Sequence, residues 1–88
     1  MKREVTVTNR LGLHARAAAK LVTLASRFEA DIRLLRGSKE VNGKSIMGVM
    51  MLAAAQGTHL EIQASGPDEE QALDSLEELI QQGFGEHE

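Results

Sequence analysis

Four stretches of the chain are predicted as strands, and hydrophobic and polar positions alternate in the first, second and fourth of them. In the first of them, Val5 and Val7 share one face, and the residues between and beside them are polar or charged. A period of two residues is typical of a half-buried strand, because successive side chains point to opposite faces. A turn over residues 36–39 joins the second and third stretches into a hairpin. The four predicted strands are Lys2–Thr8, Asp31–Leu35, Lys39–Val41 and His59–Ala64.

Three other stretches are predicted as helices, and the first and last of them repeat their apolar residues with the 3.6-residue period of a helix. Ser45 is expected to be the N-cap of the second helix. Asp68 is expected to cap the third, in a capping box with Gln71 three residues later. The predicted helices are Ala15–Ser26, Ile46 to about Ala53, and a last helix that Asp68 opens and Gly83 ends.

The order of these elements, β-α-β-β-α-β-α, predicts an α+β protein. Each predicted strand is apolar on one face only, so the helices should cover one side of an antiparallel sheet and leave the other in water. A chain of 88 residues has the size of one domain, so we expect a single domain over residues 1–88.

The composition argues against several classes of protein. There is no cysteine, so the chain can form neither a disulfide nor a thiolate metal site, which fits a reducing compartment. The first residues lack the apolar core of a secretion signal, and no apolar run approaches the roughly 18 residues of a membrane span. We therefore expect a cytoplasmic protein that does not insert into membranes.

Charge is divided unevenly along the chain. All ten Lys and Arg residues and four acids lie in residues 1–44, which gives that half a charge of +6. The other half has nine acids and no Lys or Arg, and the total is -3. The division indicates either two solvated faces of opposite sign or a basic surface for anions and acidic partners. We expect most of the acidic half to lie away from the basic surface.

The segment from Gly12 to Arg16 combines groups that suit phosphate. His14 lies where a loop meets the start of the first helix, whose unpaired N–H groups favour an anion and whose positive end favours a neutral imidazole. Arg16 offers a planar fork of donors to a phosphate. Gly12 permits close approach of the backbone. These residues predict a histidine that accepts a phosphoryl group, although a histidine serving only as a helix cap is the structural alternative.

The other two histidines carry weaker signals. His59 opens a predicted strand and is expected on the surface, and His87 in the acidic tail is expected in solvent. The three histidines lack the spacing of metal ligands, so no metal site is predicted.

A second segment, residues 42–50, contains Gly43-Lys44-Ser45 followed by many apolar residues. A P-loop is rejected because the motif needs a glycine at position 38, which is Ser38. The apolar residues are too numerous for one face of a short helix, and methionines are frequent on surfaces that receive several partners. We expect Val49 and Leu52 to point inward. The residues expected to be partly exposed are Ile46, Met47 and Met50, the alternative being that all the apolar residues belong to the core.

These two segments resemble the two signature sites of HPr, the histidine-containing phosphocarrier family of the bacterial phosphoenolpyruvate:sugar phosphotransferase system. The matching residues are Gly12-Leu13-His14-Ala15-Arg16 with Ala18-Ala19, and Lys44-Ser45-Ile46-Met47-Gly48-Val49-Met50. The chain departs from many members at Leu11, where they have Asn, and at Ala17, where they have Pro. Alanine is an excellent helix former, so little should be lost at position 17.

The resemblance implies an open-faced β-sandwich with a four-stranded antiparallel sheet in the order 1-4-2-3. It also implies that enzyme I phosphorylates His14 on Nδ1, that Arg16 stabilises the product, and that IIA proteins receive the phosphoryl group. Ser45 would match a regulatory serine modified by HPr kinase/phosphorylase. The resemblance also implies a monomer without cofactor. The backbone cradle for phosphate would be Gly12, Ala15, Arg16 and Ala17, and the docking residues would be Ile46, Met47, Met50, Lys20 and Arg27.

Three alternatives remain open from the sequence. A nitrogen-regulatory phosphocarrier, NPr, shares the first site. A small ferredoxin-like ligand-binding domain shares the order of elements. A nucleic-acid-binding module could use the basic half, but the scarcity of aromatic residues and the acidic total argue against it.

Overall fold

Four antiparallel strands form one sheet in the order β1-β4-β2-β3, as expected. The computed structural model describes residues 1–86. Val5 lies opposite Leu60, and Leu34 lies opposite Ile62, so the apolar residues of neighbouring strands are in register. The strands are β1 (Lys2–Thr6), β2 (Asp31–Arg36), β3 (Lys39–Asn42) and β4 (His59–Ser65).

The first strand ends two residues earlier than the alternation predicts. Val7 nevertheless stays in the core, because its N–H donates to Thr58 O (2.9 Å) and its carbonyl accepts from Gly57 N (2.8 Å). Val7 therefore pairs with the turn before β4 instead of with the strand itself.

Three α-helices pack on one face of the sheet, as the one-sided strands predict. The second ends at Met51, two residues earlier than expected, and Lys39 Nζ donates to the carbonyl of Met51 (3.1 Å). Arg36 donates to the carbonyl oxygens of Leu52 and Ala53, so basic side chains satisfy the end of this helix. The helices are α1 (Ala15–Ala25), α2 (Ile46–Met51) and α3 (Glu69–Gln81), followed by a 3₁₀ turn at Gly83–Gly85.

The core lies between the sheet and the helices. Phe84 is its largest fully buried side chain, followed by leucines and isoleucines from the sheet and the helices, whereas Phe28 is half-buried. The opposite face of the sheet carries polar side chains such as Glu61 and Gln63, which bond to each other (2.6 Å). Within residues 1–86, no helix is long and apolar enough to cross a bilayer.

The capping box predicted for α3 is wrong. Asp68 occupies the N-cap position, but its carboxylate makes no capping bond. It accepts hydrogen bonds from the backbone N–H groups of Glu29 and Ala30, both at 2.9 Å, in the loop before β2. Asp68 therefore ties that loop to the start of α3, and the hydrogen bond from Glu29, foremost among its contacts, lowers the pKa of its carboxyl group.

Candidate functional site

The loop before α1 is held by a tight contact with the chain that leaves α2. Gly12 has a φ of 63°, and a Cβ there would lie 2.3 Å from Ala54 O. Leu13 N donates to the same carbonyl (2.9 Å). The predicted close approach at Gly12 therefore exists, but it is an approach to protein backbone. It joins the loop that leads to His14 to the chain just after α2.

His14 is the N-cap residue of α1, as predicted, and its side chain makes no capping bond. Its carbonyl accepts the first intrahelical hydrogen bond, from Ala18 N (2.8 Å). The imidazole is therefore not used to begin the helix, and 29% of the side chain is exposed. This geometry argues against the alternative in which His14 is only a cap.

Glu86 lies against His14, a contact that the sequence did not reveal. His14 Nε2 is in hydrogen-bond contact with Glu86 Oε2, while Glu86 Oε1 accepts from Asn9 Nδ2 (2.9 Å). The hydrogen bonds from Asn9 and then His14 lower the pKa of the Glu86 carboxyl group. The expectation that the acidic half lies away from His14 is thus wrong for Glu86, because the chain folds back after α3. The only sequence signal was a lone aromatic, Phe84, between two glycines.

A surface cleft of about 750 Å³ surrounds His14. Within residues 1–86, the guanidinium of Arg16 has no hydrogen-bond or ion-pair partner, and it lines this cleft beside His14. Such a planar donor fork can receive a phosphate or carboxylate. The lining residues are Arg10, Leu11, His14, Ala15, Arg16, Lys20, Gly85 and Glu86.

The four residues predicted as a backbone cradle differ in what their N–H groups do. Ala15, Arg16 and Ala17 form the first turn of α1, where N–H groups lack a partner within the helix. The N–H of Gly12 instead donates to Asn9 O (3.2 Å) inside the loop. The helix start thus offers the anion-binding geometry, and Gly12 shapes the loop that leads to it.

Ser45 is the N-cap of α2, as predicted. Its Oγ accepts a hydrogen bond from Gly48 N (3.1 Å). The two donors next to Ser45 that a P-loop would offer to phosphate already have protein partners. Gly43 N donates to Ile32 O (2.7 Å), and Lys44 Nζ donates to Phe28 O (2.6 Å). This turn therefore begins α2, and the ammonium of Lys44 is bound to the backbone.

An apolar surface, formed by Ile46, Met47, Met50 and Met51, is exposed on α2. The first three are 45%, 70% and 39% exposed, whereas Val49 and Leu52 are fully buried, as expected. Met51, at 66%, was not in the predicted set. Leu11 beside the cleft is also exposed and was equally missed.

Of the two basic residues predicted for docking, Lys20 lies on α1 and Arg27 lies just after its end. Lys20 and Arg27 line a groove between α1 and α3 together with Arg16 and Leu79. Lys20 also lines the His14 cleft, and its ammonium donates to Phe84 O (2.7 Å). The groove is therefore continuous with the cleft around His14.

His59 does not join the site. His59 is exposed on the solvent face of the sheet, where its Nδ1 lies 2.9 Å from Thr6 Oγ1. His87 lies outside the described residues. No group of three metal-ligating side chains occurs within residues 1–86. An accessible histidine at a helix start, with arginine beside it on an α+β scaffold, is an arrangement suited to binding an anion.

Comparison with known proteins identifies one family. A family model described as the HPr component phosphorylation site of the phosphotransferase system matches residues 1–82. The phosphocarrier protein HPr of Cupriavidus necator is 49% identical over 88 residues, covering 100% of this chain and 99% of the relative. That of Xylella fastidiosa (strain Temecula1) is 51% identical over 86 residues, covering 98% and 97%. A crystal structure of HPr from Thermoanaerobacter tengcongensis matches with a TM-score of 0.96 at 42% identity, covering 100% and 99%.

The chain belongs to the HPr family, whose members are phosphoryl carriers of the phosphotransferase system. The open sheet in the order 1-4-2-3 is the fold of that family's solved structures.

Proposed function

We propose that His14 is the residue that carries the phosphoryl group, bound to Nδ1. The observation that supports this most is the place of His14: its imidazole caps nothing, lies in an open cleft and stands at the positive end of α1. The donor is phosphorylated enzyme I, which obtains its phosphoryl group from phosphoenolpyruvate, and the acceptors are sugar-specific or regulatory IIA proteins.

The step transfers the phosphoryl group from the donor to a nitrogen atom of His14. The Nδ1 lone pair of His14 attacks phosphorus, the N–P bond forms, and the bond from phosphorus to the donor breaks with its electron pair left on the donor. Onward transfer reverses these roles. The carrier therefore needs groups that hold the phosphoryl oxygens without trapping them.

Arg16 and the first turn of α1 supply those groups. The guanidinium can form charge-assisted hydrogen bonds, and the N–H groups of Ala15, Arg16 and Ala17 belong to the turn that favours an anion. Both lie at an exposed surface, where such contacts are weakened by water. A modest hold suits a group that must leave again.

Partners dock on a surface that surrounds the cleft. The apolar surface of α2 offers Ile46, Met47 and Met50, and the groove beside α1 offers Lys20 and Arg27. Cations around an apolar centre fit acidic partners and speed their encounter. We propose that residues 1–88 act as a monomeric, single-domain carrier in the cytoplasm, with no cofactor.

Ser45 is proposed as a regulatory phosphorylation site for an HPr kinase/phosphorylase. A phosphate on its Oγ would stand at the start of α2, where the helix tolerates an anion. It would also place charge beside Ile46 and Met47, both of which are exposed. Phosphorylation would therefore impair docking of acidic enzyme I without unfolding the chain.

The decisive assay incubates the chain with phosphoenolpyruvate and enzyme I. We expect one acid-labile, base-stable phosphate in the native chain and none in His14→Ala. The matched control is His59→Ala, which removes an exposed imidazole from the other face of the sheet and should leave the label intact. Phosphate label that persists in His14→Ala would contradict the assignment of His14 as the phosphorylated residue.

A further inference from the structure

The segment after α3 returns to His14 through an unusual backbone conformation. Three consecutive residues have positive φ: 62° at Gly83, 58° at Phe84 and 73° at Gly85. Glycine adopts this region readily, but for an aromatic residue it is strained. Such strain persists only where the surroundings fix the conformation, and it is frequent at functional sites.

Two contacts fix the segment against the body of the protein. The Phe84 side chain is 1% exposed and belongs to the core. Its carbonyl accepts a hydrogen bond from Lys20 Nζ (2.7 Å) on α1. Because Phe84 is anchored at both side chain and backbone, Glu86 two residues later is delivered to a defined place.

Both carboxylate oxygens of Glu86 are used there. One contacts His14 Nε2, and the other accepts from Asn9 Nδ2 (2.9 Å). Asn9 is itself buried, and the same Nδ2 donates to Gly12 O (2.8 Å), which orients the amide toward Glu86. Only 14% of the Glu86 side chain is exposed. The carboxylate is thus held by two side chains, Asn9 and His14, from the loop that leads into α1.

We propose that Glu86 is a positioning residue, which holds the hydrogen of the His14 imidazole on Nε2 and leaves the lone pair on Nδ1 for the phosphoryl group. A neutral imidazole has one donor and one acceptor nitrogen, and an ionised carboxylate can only accept. Carboxylates fix the tautomer of metal-binding and catalytic histidines in the same way. The proposal rests on the proposed function, since it concerns the same histidine. The family match ends at residue 82, before Glu86.

The contact between His14 and Glu86 also determines where the imidazole proton lies during transfer. When the N–P bond forms at Nδ1, the hydrogen stays on Nε2, and the ring becomes formally cationic. Glu86 places a negative charge against that nitrogen and stabilises the ring without taking its proton. When the phosphoryl group leaves, the electron pair of the N–P bond returns to Nδ1 and the starting tautomer is restored.

If Glu86 hindered His14 instead of positioning it, the rate of phosphorylation would change in the opposite direction. A carboxylate that merely blocks the cleft would slow phosphorylation, and its removal would make His14 react faster. The test therefore uses Glu86→Ala, with Glu70→Ala as the control. Glu70 is an exposed acid in the first turn of α3, at the other end of that helix from Gly83, and its loss changes the net charge equally.

The first measurement is the ¹⁵N spectrum of the His14 ring at a pH where it is neutral. We expect Nε2 to carry the hydrogen in the native chain and in Glu70→Ala, and a mixture of tautomers in Glu86→Ala. This result needs no phosphotransfer. If the native chain accepts no phosphate, the proposed function fails, while the spectrum still decides whether Glu86 orients the ring.

The second measurement is the rate of phosphorylation by enzyme I. We expect Glu86→Ala to be slower by about tenfold, the lower end of the effect of removing a residue that orients a histidine ligand. Glu70→Ala should match the native rate. An unchanged tautomer in Glu86→Ala, an unchanged rate or a faster rate would each overturn the proposal.

Discussion

His14 and Ser45 both stand at the start of a helix, but the chain builds the two sites in different ways. Ser45 is satisfied by its own helix, since its Oγ accepts from Gly48 N three residues later. The side chain of His14 makes no bond to its own helix, and its imidazole is in hydrogen-bond contact with Glu86, 72 positions away. One site is local, and the other is assembled from distant parts of the chain.

The difference matters for the chemistry that each site is proposed to perform. A serine tied to its own helix start presents a hydroxyl whose phosphate would lie on an intact helix. A carrier histidine must have one nitrogen available for phosphorus, so its other nitrogen is best held from outside the helix. Substitutions at each helix start therefore test the two arrangements separately.

The largest effect is expected from Gly12→Ala, which strikes the assembled site. The new Cβ would lie 2.3 Å from Ala54 O, at a residue with φ of 63°. We expect a loss of about 3 kcal/mol in the free energy of unfolding, from strain and overpacking together. Thermal unfolding should show a fall in Tm of more than about 10 °C.

Gly48→Ala is the matched change in the local site. Its Cβ would meet its nearest neighbours at 3.4 Å, an ordinary contact, and alanine favours helix. We expect no loss of stability and a gain of up to about 1 kcal/mol. Equal losses for the two glycines would contradict the contrast between the sites.

The next effect is expected from Ser45→Asp, which places charge beside the apolar surface of α2. Phosphorylation by enzyme I should slow by about tenfold, or about 1.4 kcal/mol, because a negative charge opposes docking of an acidic partner. The rate should recover partly at high salt if the repulsion is long-range. Ser65→Asp, on an exposed residue at the end of β4, serves as the control and should react at the native rate. An unimpaired Ser45→Asp would show that this surface does not receive enzyme I.

A smaller effect is expected from Ser45→Ala, which removes the cap and adds no charge. Loss of the hydrogen bond to Gly48 N should cost about 1 kcal/mol of stability. Chemical denaturation measures this cost, and the rate at which His14 accepts phosphate should stay the same. A large fall in that rate would mean that the two sites are not independent.

The smallest effect concerns Asp68, the N-cap of the third helix, which bonds to a loop instead of its own helix. Its carboxyl pKa is lowered in the folded chain, foremost by the hydrogen bond from Glu29 N. The carboxylate therefore adds stability above the unfolded pKa of about 4, and this is lost as the pH falls through the folded pKa. Asp68→Asn should be less stable than the native chain at pH 7, and the two Tm curves should converge in strong acid. A constant difference would exclude this linkage.

Local patterns predicted most of the fold and the local site. Alternation located three strands and the hairpin turn located β3. Helical periodicity located α1 and α3, and the place of Ser45 directly before an apolar segment predicted both α2 and its cap. Element ends were less predictable, because residues far along the chain decide them. Arg36 and Lys39, for example, bind the carbonyls at the end of α2.

The assembled site was only half predictable for the same reason. His14 and Arg16 follow from the start of α1, but Glu86 depends on how the chain turns after α3. The turn relies on burial of Phe84 and on Lys20, and neither contact leaves a periodic pattern. The capping prediction for Asp68 was wrong for a similar reason. A capping rule assigns its carboxylate to its own helix, but the carboxylate bonds instead to a loop from another part of the chain.

The most direct test of the account identifies the atom that bears phosphorus. The ¹⁵N-labelled chain is phosphorylated with phosphoenolpyruvate and enzyme I, and coupling between ³¹P and the ring nitrogens is measured by NMR. The account predicts coupling to Nδ1 of His14, with the hydrogen retained on Nε2. Phosphorus bonded to Nε2, or to any residue other than His14, would contradict it.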